Sequence, residues 1–131
     1  MSEASSYWSP LCQLRNQLQC WVRVAWRYGA ETEVSPWGML LIIPTEGYLE
    51  GPDGPIPFRE VEWVEVSTSY IKGGMAGRPL QIISMKDEVL AGLQGLQLRW
   101  ELRDSTWSKE RFFEDEPVQV IRFVNPFGPT P

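Results

Sequence analysis

Leu96-Gln97-Leu98-Arg99-Trp100-Glu101-Leu102-Arg103 alternates apolar and polar residues without a break. A period of two sends successive side chains to opposite faces of an extended chain, so this stretch predicts a β-strand with one apolar face. The same period runs through residues 20–27, where Cys20, Val22, Val24 and Trp26 alternate with Trp21, Arg23, Ala25 and Arg27. On that reading Arg23 and Arg27 point to solvent. Trp37 to Ile43 is continuously apolar, the pattern of a central strand covered on both sides, and Pro44 ends it. Residues 46–50, 61–68, 80–83 and 118–124 supply further extended segments. Within 61–68, Val61 and Trp63 share one parity while Val64 and Val66 share the other, so a bulge near Trp63 or Val64 is expected.

Helical spacing is confined to two places. Ser9-Pro10 reads as a cap and first helical position, followed by Leu11, Leu14 and Leu18, with the helix ending near Gln19. Ser84 with Asp87 caps a second short helix through Val89, Leu90 and Leu93. Residues 1–7 and 125–131 read as irregular tails. Six to seven strands with one or two short helices predict an α+β, mainly antiparallel β domain. With 131 residues, the chain forms one domain spanning 1–131. Thr45 to Glu50, a Gly51-Pro52-Asp53-Gly54-Pro55 turn, and Ile56 to Val61 together resemble the second hairpin of bacterial pleckstrin-homology-like domains. That resemblance implies an alternative fold, a small, partly closed β-barrel.

Composition excludes several functions. The chain has no histidine, which removes Ser-His-Asp and Cys-His catalysis and His-ligated zinc. Cys12 and Cys20 alone cannot complete a tetrahedral zinc site. Without a secretory signal they are expected as reduced, buried thiols in a cytoplasmic protein. Residues 1–66 hold nine acids against four bases, and the net charge is −5. Nucleic-acid binding draws on neutralised phosphates, so none is expected, and no apolar run reaches membrane-spanning length. The loop Gly73-Gly74-Met75-Ala76-Gly77 lacks the Lys-Ser/Thr ending of a phosphate-binding loop. Pro52-Asp53 with Glu62 resembles the acidic pair of restriction-type nucleases, but no lysine stands two residues after Glu60, Glu62 or Glu65. No catalytic residue, metal site or cofactor is therefore expected.

What remains is surface. Glu46, Glu50, Asp53, Glu60, Glu62 and Glu65 cluster in sequence, and pairing of residues 46–50 with 61–68 would put several on one face. Trp107, Arg111 and Phe112 form a second, aromatic and charged stretch. Together they predict a non-enzymatic protein-binding module of inhibitor, immunity or adaptor type, whose partner is another protein, with the acidic surface suited to a basic one. Two alternatives are a small-ligand or carbohydrate-binding domain lined by the seven tryptophans and a metal-dependent enzyme built on the carboxylates. Most of those tryptophans are expected in the core, and Trp100→Ala tests whether that residue is one of them.

Overall fold

A computed structural model describes residues 3–72, 76–79, 81–107 and 116–128. The elements run α1 (Glu3–Leu18), β1 (Val22–Tyr28), β2 (Glu31–Val34), β3 (Tyr48–Gly51), β4 (Gly54–Pro57), β5 (Val61–Ser67), β6 (Ser69–Lys72), β7 (Gln81–Ser84), α2 (Lys86–Leu93), β8 (Trp100–Trp107) and β9 (Glu116–Val124). All pairings are antiparallel: a five-stranded sheet ordered β2-β1-β5-β9-β8, and two hairpins, β3-β4 and β6-β7. The architecture is α+β and mainly antiparallel. Among the described residues the sheet stays open, with β2 and β8 as its edges, so the barrel alternative is set aside.

One face of the sheet carries the main core. Val22 and Val24 of β1, Val61, Val64 and Val66 of β5, and Ile121 and Phe123 of β9 pack against Trp8, Leu11 and Leu14 of α1 and Val89 and Leu93 of α2. The phase change in β5 is resolved by a bulge: Ala25 pairs with Trp63 but Trp26 with Val61, leaving Glu62 as the extra residue. The bulge turns Val61 to the same face as Val64 and Val66. The β3-β4 hairpin adds Leu49, Ile56 and, just beyond it, Phe58 to this core.

Helix α1 starts well before Ser9, so residues 3–7 are helical rather than an irregular tail. Pro10 sits inside the helix and removes one backbone bond, at a cost of about 3 kcal/mol. Trp8 lies upstream of it and is fully buried. An indole that size is worth about 4–6 kcal/mol of apolar burial, enough to extend the helix through the proline. At the other end Gln19 takes a left-handed φ of 54°, and the buried Arg15 donates from Nε to the Cys20 carbonyl at 2.9 Å, fastening the exit into β1.

Residues 37–43 do not form the expected central strand. They make two isolated bridges, Gly38 with Val22 and Ile42 with Glu50, so the segment straps the large sheet to the β3-β4 hairpin. Trp37 and Leu41 are buried, whereas Met39 and Leu40 are exposed. An apolar run without a continuous backbone partner cannot hold strand register. Strand β8 begins at Trp100, with Leu96 and Leu98 packing on the core from a non-repetitive approach. Its ladder to β9 is extended by a side chain: the Tyr7 hydroxyl accepts from the Arg99 N–H at 3.1 Å and donates to the Val124 carbonyl at 2.6 Å. Burial raises the Tyr7 pKa, opposed by the Arg99 backbone bond and charge, so the hydroxyl keeps the proton that this bridge requires.

Residues 125–128 are irregular in backbone but firmly anchored. Asn125 is buried, its Nδ2 donates to the carbonyls of Phe58 and Val61 at 2.7 Å each, and its Oδ1 accepts from the Phe127 N–H at 3.0 Å. Asn125→Ala removes a buried donor from both carbonyls, leaving that of Phe58 with the Val61 N–H, and is expected to cost about 1–3 kcal/mol, read as a lower urea midpoint at unchanged m.

Candidate functional site

The second face of the large sheet is polar and aromatic. Arg23 of β1, Glu65 of β5 and Arg122 of β9 stand directly opposite one another in register. Cross-strand neighbours lie close enough to interact directly, and here they do. Arg23 reaches Glu65 Oε1 with Nε and Nη2, both at 2.7 Å. Arg122 reaches Oε2 with Nε and Nη2, both at 2.9 Å. Glu65 is 1% exposed, so its charge is held between two guanidiniums away from water. Arg23 also donates to the Ser105 hydroxyl at 3.4 Å.

Trp63 lies between the two cations. The Arg122 guanidinium sits 4.0 Å from its ring centre and that of Arg23 5.6 Å, while Arg23 is also 4.8 Å from the Trp37 ring. Such contacts orient a cation over the negative face of an indole. Trp37, Val118 and Val120 form a small cluster on this face, with Trp21 packed against it. The guanidinium side chains remain about a quarter exposed, at 24% and 23%. The arrangement is a rigid platform of fixed cations and indoles at the surface.

The expected acidic face is not assembled. Strand β3 pairs with β4, not with β5, so residues 46–50 and 61–67 are separate. Glu46 accepts from the Ser5 hydroxyl at 2.8 Å beside α1. Glu50 is half-buried in β3, Asp53 is exposed in the hairpin turn, and Glu60 is half-buried in the 3-10 turn Phe58–Glu60. Glu62 binds Arg27 at 3.1 Å and the Thr32 hydroxyl at 2.9 Å. Neither Arg23 nor Arg27 therefore stands free in solvent, as the strand pattern had implied. Trp107 lies at the end of β8, while Arg111 and Phe112 fall outside the described residues.

Among the described residues no group of three or more His, Cys, Asp or Glu is placed to hold a metal ion. A surface groove of about 340 Å³ is lined by Glu3, Ser6, Tyr7, Gln97 and Phe127, none of them tryptophan. Among the described residues no helix is long and apolar enough to cross a membrane. Cys12 and Cys20 are free and buried, and burial pushes their pKa values up to about 12 and about 11. A thiol raised in this way stabilises the fold while neutral. That contribution is complete below the unfolded value of 9.0 and is lost as pH rises through 11 to 12. Urea midpoints should therefore fall between pH 9 and 11, and the Cys12→Ala, Cys20→Ala double variant should show a shallower fall.

Arg23, Trp37, Trp63 and Arg122 were not singled out by the sequence reading. A signal for them existed: Arg122 shares the parity of Val118 and Val120, and Glu65 stands between Val64 and Val66. Charges at apolar positions on neighbouring strands point to a cross-strand ion pair. No protein-family model, curated protein or solved structure matches the chain.

Proposed function

We propose that this protein is a non-enzymatic protein-binding module that docks its partner on the Trp63 face of the large sheet. The observation that carries the reading is the pair of guanidiniums locked by Glu65 and stacked against Trp63. Trp and Arg dominate binding hot spots, and side chains already fixed lose little entropy on association. Glu62 and Glu65 serve this face from within, holding arginines rather than offering free carboxylates. The net charge of −5 favours encounter with a basic partner, with Glu46 and Asp53 among the exposed acids. The two free, buried cysteines accord with a reducing, cytoplasmic setting.

Trp63→Ala tests the reading. The tagged wild-type chain is expected to retain a stoichiometric protein from its native host at moderate salt, and the variant to lose it while keeping its far-UV circular dichroism. Equal retention by both would remove this face as the docking surface. The groove beside Tyr7 and Phe127 supports a second reading, small-ligand binding, since its volume reaches the lower end of ligand pockets. A ligand bound there would quench Trp fluorescence little, as no tryptophan lines it.

A further inference from the structure

We propose that β8 pairs with β8 of a second copy of this chain, antiparallel about a two-fold axis at Leu102, so that two sheets become one. This interface is separate from the Trp63 docking face. Among the described residues β8 is an edge strand of eight residues, with Trp100 and Leu102 exposed at 42% and 39%. Long edges with exposed apolar side chains are templates for another strand.

Backbone geometry restricts the register. The Val124 N–H donates to the Arg99 carbonyl at 3.0 Å, which makes Arg99 a hydrogen-bonded position toward β9. In an antiparallel ladder these positions alternate, so the backbone groups of Trp100, Leu102 and Asp104 face outward. A symmetric pairing must join outward positions to outward positions. Centring it on Leu102 sets Leu102 against Leu102, Trp100 against Asp104, and Glu101 against Arg103 twice. Moving the axis toward Glu101 opposes the two Glu101 side chains. Moving it toward Arg103 opposes the two Arg103 side chains. An axis at Trp100 would also pair opposite charges, Arg99 with Glu101, but it lies at the first residue of β8 and leaves most of the strand unpaired, so the Leu102 register is the complementary one that uses the strand's length.

The sheet's own charge order continues through it. Arg23, Glu65, Arg122 and Glu101 stand in one cross-strand row over β1, β5, β9 and β8, alternating in sign. The next strand in the proposed pairing places Arg103 of the second copy beside Glu101, extending the alternation. Within one chain Arg103 and Glu101 already touch at 2.8 Å, with side chains 44% and 52% exposed, and each retains solvent-facing surface for a second partner. The opposite edge behaves differently. In β2, all of whose residues are exposed, self-pairing about Thr32 would set Glu31 against Glu33. Like charges directly opposite are destabilising, so that edge resists a second copy.

Sedimentation velocity over a concentration series of the full chain tests the proposal. Wild type should form a concentration-dependent dimer, since a single strand pair is a small interface. Glu101→Arg and Arg103→Glu each place like charges opposite one another at two points, and each should raise the dimer Kd at least about tenfold. Mixed together, the two variants should recover the dimer as a heterodimer, and the doubly reversed chain should recover it alone. Glu101 stands opposite Arg122 whereas Arg103 stands opposite Val120, so the urea midpoint of each variant is read alongside, and the Arg103→Glu arm tests the dimer without touching the Arg122 row. Three results would each overturn the proposal: a wild type that stays monomeric at every concentration, a dimer indifferent to both single reversals, or single variants that fail to rescue each other.

Discussion

Glu65→Ala is expected to lower the unfolding free energy by about 3–5 kcal/mol, the usual cost of removing one partner from a buried ion pair. Its carboxylate answers both Arg23 and Arg122, and without it two like charges face each other across β5 with their nearest partner gone. Small domains have only about 5–15 kcal/mol in total, so equilibrium urea unfolding should show a large shift. A companion variant separates the charge from the space it fills. Replacing all three residues together, as Arg23→Met, Glu65→Leu and Arg122→Met, removes the desolvation cost along with the attraction. Such replacements are often neutral or stabilising, so the triple variant should recover most of the stability. It should not recover partner binding, because the fixed cations beside Trp63 would be gone. A loss below about 1 kcal/mol for Glu65→Ala would mean that the arginines find equal partners elsewhere.

Trp8→Ala is the second large effect, expected at about 3–5 kcal/mol from lost apolar burial and the cavity left behind. Trp8 is 0% exposed and sits where α1 meets the sheet, with the Tyr7 ring edge-on at 4.9 Å. Because the helix continues through Pro10 on the strength of that burial, the variant should also lose helical signal upstream of the proline, visible as faster amide exchange over residues 3–9. Trp8→Phe should cost less, since the indole N–H is buried without a partner and its removal relieves an unmet donor. Trp100→Ala provides the contrast. The alternating pattern left core and surface both open for Trp100; it is 42% exposed at the sheet edge, and its truncation should cost under about 1 kcal/mol. A comparable loss at both positions would put Trp100 in the core.

The difference between these two tryptophans shows what could be read from the chain. Local alternation located β1, β5 and β9 and set β8 four residues early, helical spacing located α2, and the parity conflict within residues 61–66 called for a bulge, expected near Trp63 or Val64 and found at Glu62. Those features depend on neighbours a few residues apart, and they were legible because side-chain period and backbone conformation are locally coupled. The fold class followed from them. The extent of burial did not. Residues Trp100 and Leu102 have the pattern of a core strand, yet β8 ends at the sheet's edge, beyond the cover of α1 and α2. Trp37 to Ile43 has the composition of a central strand, yet no continuous partner is in reach.

The candidate site was less legible still, because it is made of cross-strand neighbours. Arg23, Glu65 and Arg122 lie 42 and 57 residues apart and meet only through the register of β1, β5 and β9. The acidic residues grouped in sequence were separated by the same pairing, since β3 closes on β4 and sends Glu50 and Asp53 away from Glu62 and Glu65. The sequence by itself determined the extended segments of β1, β5 and β9, the need for a bulge between residues 61 and 66, and the absence of histidine chemistry. Tertiary structure alone decided which strands are edges, which tryptophans are covered and which charges meet, because each of those depends on pairing between segments that local periodicity does not encode.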